Sequence, residues 1–169
     1  GVLRMNEAKR RWAIVGAGNG GQAFAAYLTQ KGLEVTLTDT ADAALSNVTA
    51  LGRNPLISLE GEGTGEPTEI SLCTLDMAEA VAGAEVILVT VPSPFHRLAA
   101  RKLAPYLEDG QTVILNPIAP LGPIEFRNEL EHVEAFQKKA PHITIAGTST
   151  LLFACRAQVP GKVHVSGHK

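Results

Sequence analysis

The sequence predicts an α/β fold: a doubly wound, mainly parallel sheet with helices on both faces and a hairpin-like β tail at the C-terminus. Three observations carry this expectation. Apolar, strand-like runs alternate with amphipathic helical patterns along most of the chain, an order that implies a parallel sheet wound by crossover helices. The run EVILVTV (Glu85–Val91) is almost entirely apolar, as a strand covered on both faces must be. The chain of 169 residues, 45% hydrophobic and 19% charged, is long enough for one sizeable core and has an ordinary globular composition.

Residues 1–10 read as an N-terminal tail, with Met5 as a natural start and Gly1–Arg4 as foreign residues ahead of it; residues 11–169 read as one domain. RWAIV (Arg11–Val15) predicts the first strand, NGGQAFAAYLTQKG a helix ending near Gly32, and Glu34–Asp39 a second strand, which together make one βαβ unit. ADAALSNVTALG continues as a helix, and LISLEGEGTGEPTEISLCT reads as two short strands around a Gly-rich turn. Leu75–Ala84 is helical in pattern, Glu85–Val91 is the buried strand, and PFHRLAARKLAPYL gives the next helix. Gln111–Asn116 predicts a strand, IEFRNELEHVEAFQKK a single helix, and HITIAGT a further strand. The tail, TLLFACRAQVPGKVHVSGHK, holds two β-like runs about a Val-Pro-Gly-Lys turn.

Composition excludes several function classes. A net charge of −2, with only short basic clusters at Lys9–Arg11 and at Lys138 and Lys139, leaves no electrostatic footprint for nucleic acid. The two cysteines, Cys73 and Cys155, sit in apolar segments and suit buried thiols in a reducing, cytoplasmic setting rather than a disulfide framework. No run reaches the length of a membrane span, and GVLRMNEAKRR lacks the apolar core of a signal peptide. His132, His142, His164 and His168 show no metal-ligand spacing, so no metal is expected, and Glu60 and Glu62 read as solvated.

The chemistry-bearing signal is WAIVGAGNGGQAFAAYL, where glycine interrupts two segments that would each be more stable without it. Gly16, Gly18 and Gly21 match G-x-G-x-x-G at a strand-to-helix junction, the Rossmann-type dinucleotide fingerprint, and Asn19 and Gly20 complete the loop. The first glycine permits the tight turn, the second lets a pyrophosphate approach the backbone, and the third lets helix pack on strand. The N–H groups at the helix start then receive the phosphate charge. Asp39 ends the second strand about 20 positions after Gly18, where a carboxylate accepts from adenosine ribose hydroxyls and repels a 2′-phosphate. Thr40, Ala41 and Asp42 offer no arginine to hold such a phosphate, so NAD is expected over NADP. Asp39 also stands where it could cap the helix starting near Ala41.

Other candidates lie at strand ends, the edge where open parallel sheets bind ligands. Val91, Pro92 and Ser93 are expected against the cofactor, although Pro92 and Pro94 also suit a strand stop and helix start. His96, in the first turn of the following helix, is the weak candidate for a proton carrier; a cap or a cofactor contact is the plainer role. Asn116 can donate and accept, which suits a carboxamide or a carboxylate, and Thr148 and Ser149 share its edge or simply form a turn.

AIVGAGNGGQAFAAYLTQKGLEVTL, GAEVILVTVPSPFH, LAPYLEDGQTVILNP, IEFRN and TSTLLFACRAQVPGKVHVSGHK together resemble the N-terminal cofactor domain of the octopine/nopaline (opine) dehydrogenases, from about Arg11 to the last residue. That resemblance implies an NAD(P)-dependent oxidoreductase acting on CH–NH bonds: the cofactor reduces the imine formed between an amino acid and an α-keto acid. It also implies a second, helical domain after this one, holding the catalytic histidine and its acidic partner together with most of the amino-acid pocket, so that no catalytic residue is expected in this chain beyond the weak candidate His96. Expected partners are a dinucleotide and, in the longer enzyme, the amino acid and the α-keto acid, with a homodimer as the assembly considered. The chain departs from the family pattern at NPIAPLGP, where Ile118, Ala119 and Pro120 replace a glycine-rich turn. Glycerol-3-phosphate dehydrogenases share the early glycines but rely on a lysine after the next strand, and no lysine occurs between Lys102 and Lys138. Ketopantoate reductase-like enzymes and a stand-alone NAD-binding or sensing module remain as alternatives, since fold alone does not choose among them.

Overall fold

The computed structural model describes residues 10–40, 45–61, 65–148 and 153–168. Its first unit is the expected one: β1 (Arg11–Val15), α1 (Asn19–Gln30) and β2 (Glu34–Thr38). There follow α2 (Leu45–Arg53), β3 (Leu56–Gly61), β4 (Pro67–Glu69), β5 (Leu72–Cys73), α3 (Met77–Val81), β6 (Val86–Val89) and α4 (His96–Leu103). The chain continues through β7 (Thr112–Leu115), α5 (Gly122–Glu131), α6 (Glu134–Lys139), β8 (Thr144–Gly147), β9 (Phe153–Val159) and β10 (Lys162–His168). The N-terminal tail through residue 9, the expected start of α2 at residues 41–44, and Ser149 lie outside the described residues.

Six strands form one sheet in the order β5-β2-β1-β6-β7-β8, and every pairing in it is parallel. The chain runs outward from β1 through β2 to β5 and then returns to the other side of β1 at β6. The strand order therefore reverses between β1 and β6, which opens a crevice at their C-terminal ends. This is a Rossmann-type fold.

Strand alternation divides the core into two layers. Ala13 and Val15 of β1, Ile87 and Val89 of β6, and Val113 and Leu115 of β7 pack with Ala80, Ala99, Leu103, Phe126 and Leu130 from α3, α4 and α5. Ile14, Val35, Leu37 and Leu88 point the other way, into a cluster with Ala23, Phe24, Ala25 and Ala26 of α1.

On that second face the molecule departs from a simple helical cover. The expected tail hairpin forms, β9 pairing antiparallel with β10, but β10 also lies parallel to β3, and β3 pairs with β4. The result is a second sheet, β4-β3-β10-β9, which packs on α1 from the side away from β1 and β2. Helix α1 is thus held between two sheets, and Ala23, Ala25 and Ala26 are each 0% exposed. Small side chains are what allow both sheets to approach it.

The expected single helix from Ile124 to Lys139 is two. Helix α5 ends at Glu131, Val133 is extended, and α6 begins at Glu134. In an unbroken helix Phe136 would lie roughly 80° around the axis from Phe126; with the break, both are buried in the same cluster. Cys73 is buried, its thiol donates to the Val48 carbonyl at 3.7 Å, and burial pushes its pKa up to about 12. Among the described residues no helix is long and apolar enough to cross a membrane.

The sandwich around α1 makes a stability prediction. Ala25→Leu adds volume where neither sheet can retreat and should cost about 1–3 kcal/mol, measured as a lowered urea midpoint. A neutral effect would show that the second sheet yields around the helix.

Candidate functional site

The turn from β1 into α1 is built from backbone. Gly16 has φ +132°, a conformation other residues rarely adopt, and a Cβ there would overlap Thr90 Oγ1. A Cβ on Gly21 would overlap the Gly16 carbonyl oxygen, so these two glycines are closed packing positions. Gly18 and Gly20 differ: a Cβ on either meets nothing within 4 Å. Helix α1 has no side-chain cap at Gly18 and no acidic residue in its first turn, so its electropositive end opens onto the space those glycines leave bare.

The loop is held through the backbone of one residue, Ala17. Ala17 N–H donates to Asp39 Oδ2 at 2.6 Å, and the Ala17 carbonyl accepts from Gln22 Nε2 at 2.8 Å and from Asn47 Nδ2 at 3.0 Å. Asp39 Oδ1 accepts from Thr40 N–H at 2.6 Å. On the other flank Thr90 Oγ1 donates to the Gly16 carbonyl at 3.1 Å. Around this frame lies a cleft of about 430 Å³. It brings together Gly16, Gly18, Asn19, Gly20, Gly21, Asp39, Val91 and Pro92, the larger part of the set expected from sequence.

The remaining candidates lie elsewhere. Ser93 and His96 line an adjoining cavity of about 270 Å³ between the start of α4 and the start of α5. His96 is buried, and its Nε2 bonds the Val91 carbonyl at 3.0 Å, which ties the first turn of α4 to the end of β6. Since a carbonyl only accepts, Nε2 carries the proton in that bond and Nδ1 is the open nitrogen of the neutral ring. Burial lowers the His96 pKa from its ordinary 6.5, against smaller raising effects of the Val91 carbonyl and the Glu125 charge. Asn116 lies outside the cleft: its buried side-chain amide donates to Thr148 Oγ1 and joins the ends of β7 and β8.

Sequence reasoning missed Gln22, Asn47 and Thr90. Asn47 and Thr90 line the cleft, and Gln22, fully buried, links Ala17 to the Gly161 N–H of the β9–β10 turn at 3.0 Å. The available signal for Gln22 was a polar residue on an otherwise apolar alanine-rich helix face. Among the described residues no group of three or more His, Cys, Asp or Glu could hold a metal ion.

With this geometry, residues 11–117 match the family model described as the NAD-dependent glycerol-3-phosphate dehydrogenase N-terminus. The chain is 39% identical to an opine dehydrogenase of Arthrobacter sp. (strain 1C), over 95% of this chain and 42% of that protein. It is 31% identical to the octopine dehydrogenase of Pecten maximus, over 92% of this chain and 39% of that protein. Among solved structures, an octopine dehydrogenase with NADH and L-arginine superposes with a TM-score of 0.79 at 27% identity, covering 95% of this chain and 40% of that one. The resemblance to opine dehydrogenases drawn from the sequence is borne out. The chain spans about two fifths of the length of the curated relatives named here.

The two kinds of glycine should separate on substitution. Gly21→Ala should lower stability by about 1–3 kcal/mol or more through backbone overlap, while Gly18→Val should stay within about 1 kcal/mol of the parent. Equal losses in denaturant titrations would contradict the assignment of open and closed positions.

His96 makes a pH prediction. The unfolded chain takes up a proton as pH falls through 6.5, whereas the buried ring resists it, so the unfolded state gains protons first and stability declines as pH drops below that value. His96→Gln removes this term, and its denaturation midpoint should fall less steeply than the parent's between about pH 7 and pH 5. Parallel profiles would show that the imidazole contributes nothing to the pH dependence.

Proposed function

This chain belongs to the family of the NAD-dependent glycerol-3-phosphate dehydrogenase N-terminus, and we propose that it is the NAD-binding domain of an opine dehydrogenase-like oxidoreductase. The observation that carries the reading is the division among the glycines: Gly16 and Gly21 are closed by packing, while Gly18 and Gly20 lie bare on a cleft at an uncapped helix start. A pyrophosphate fits such a cradle because it needs close approach to the backbone and brings the charge that the helix end lacks. Asp39 stands on the same cleft with both carboxylate oxygens engaged by backbone N–H groups.

In this reading the first turn of α1 binds the pyrophosphate, Asp39 orients the adenosine ribose, and Val91 and Pro92 guide the nicotinamide half along the end of β6. When bound, NADH supplies the hydride for reduction of an imine between an amino acid and an α-keto acid. Opine chemistry is favoured over phosphate-polyol chemistry by the extent of the likeness, since the family model stops at residue 117 whereas the opine dehydrogenase match covers 95% of the chain. The position after β7 is Asn116–Pro117, with no lysine in that loop. The catalytic histidine, its acidic partner and a helical domain to carry them are assigned to the rest of a longer protein. The buried, neutral thiol of Cys73 suits a reducing, cytoplasmic compartment.

Fluorescence or calorimetric titration should show NADH binding more tightly than NADPH, with Gly18→Val abolishing NADH binding while remaining folded. Equal or tighter NADPH binding would overturn the role given to Asp39, and unchanged affinity in the Gly18→Val protein would make the glycine loop structural only. This 169-residue chain should bind NADH without oxidising it in the presence of amino acids and α-keto acids. Turnover by the chain alone would place the catalytic groups within it, His96 first among them.

A further inference from the structure

The Asp39 end of the dinucleotide cleft receives a cation from the opposite side of the crevice. Phe95, immediately before α4, and Leu98 and Lys102 within it are spaced three and four residues apart, which sets them in one row along the helix. The row begins in the cleft, which Phe95 lines, and stays on the surface, with Phe95 43% and Leu98 37% exposed. It ends at Lys102, whose Nζ donates to the Thr40 carbonyl at 3.2 Å across 62 residues of sequence. Thr40 directly follows Asp39, and its N–H donates to Asp39 Oδ1 at 2.6 Å. The lysine therefore ties α4 to the residue that orients the carboxylate assigned to the ribose.

A plainer role for Lys102 is to complement the dipole of α4, since Arg101 and Lys102 both lie in its last turn. Its hydrogen bond, however, goes to the end of β2 and not to the carbonyls of its own helix. Arg101 is engaged by Glu129 at 2.9 Å, whereas Lys102 forms no ion pair among the described residues, so its charge is uncompensated there. An ammonium has several N–H donors, and the Thr40 bond uses one. Thr40 adds a second unspent donor: the residue is 5% exposed, and its hydroxyl is buried with no hydrogen-bond partner among the described residues. Buried hydroxyls are normally paired, so this corner is built to receive an acceptor.

The charges at the corner act in opposition. Asp39 repels a phosphate on the ribose 2′-oxygen, a group carrying roughly two negative charges, while Lys102 offers it a counter-charge one residue further along the chain. We propose that Lys102, with Thr40, is the specificity-determining pair through which this domain accepts a 2′-phosphate. Asp39 sets the preference for NADH and Lys102 limits it, so that NADPH is a weaker ligand rather than an excluded one. The inference rests on the dinucleotide-binding reading and adds to it the residue that discriminates between the two cofactors. The segment after Asp39 carries no arginine; the cation comes instead from a helix that only the fold brings to Thr40.

The test is calorimetric titration of this chain with NADH, NADPH and adenosine 2′,5′-bisphosphate at two salt concentrations. NADPH should bind measurably but more weakly than NADH, and its affinity should fall more steeply with salt. Lys102→Gln should lower the affinity for NADPH and for the bisphosphate about tenfold relative to NADH and bring the salt dependences of NADPH and NADH together. Lys102→Arg keeps the cation and should retain most of the NADPH affinity. Lys102 is exposed, so neither substitution disturbs the core. A Lys102→Gln protein that loses NADPH and NADH affinity equally, or loses neither, overturns the assignment, as does a parent chain that takes NADH and no NADPH. Those results leave the dinucleotide-binding reading standing; a chain that binds neither cofactor overturns that reading and this inference with it.

Discussion

The structure depends on a contact from which side chains are excluded: the first turn of α1 against the end of β1, where a Cβ on Gly21 would occupy the position of the Gly16 carbonyl oxygen. Because helix and strand meet there backbone to backbone, the intervening loop is short and its peptide groups have fixed directions. Ala17 is the pivot. Its N–H is taken by Asp39 and its carbonyl by Gln22 and Asn47, so three elements aim one loop. What remains free is the open face at Gly18 and Gly20, where the helix end meets the cleft.

The second sheet extends that constraint across the molecule. Gln22 is fully buried, and its amide reaches Ala17 with one end and the Gly161 N–H with the other. A hairpin distant in sequence thereby supports the loop that begins the first βαβ unit. Leaving either end of that amide unpaired in the interior would cost on the order of 1–3 kcal/mol, so the loop and the hairpin are coupled as well as adjacent. The alanines of α1 serve the same end, since larger side chains would push the two sheets apart.

Much of this was legible because it is local. β1 was placed at Arg11–Val15 from its apolar run, and the G-x-G-x-x-G spacing, followed by Asp39, marked residues that the fold then gathers around one cleft. What escaped the sequence is non-local. Nothing in LISLEG or KVHVS states that they pair with each other, yet β3 and β10 do, and that pairing makes the second sheet. Thr90 and Asn47 are ordinary polar residues until the sheet order brings them to Gly16 and Ala17. The break between α5 and α6 was invisible because the apolar spacing continues through Val133 and Phe136; only the shared core shows that a straight helix would misplace Phe136. Asn116 shows the reverse limit: its strand-end position was readable, but its commitment to Thr148 across β7 and β8 was not.

The central claim is that backbone at the β1–α1 turn, together with Asp39 and the end of β6, receives a dinucleotide. The most direct measurement is an amide ¹H–¹⁵N NMR titration of the assigned chain with NADH. The account predicts the largest shifts at Gly18, Asn19, Gly20, Thr40 and Val91, with the β9–β10 turn at Gly161 following through Gln22. Shifts confined to other surfaces, or none at saturating NADH, would contradict it.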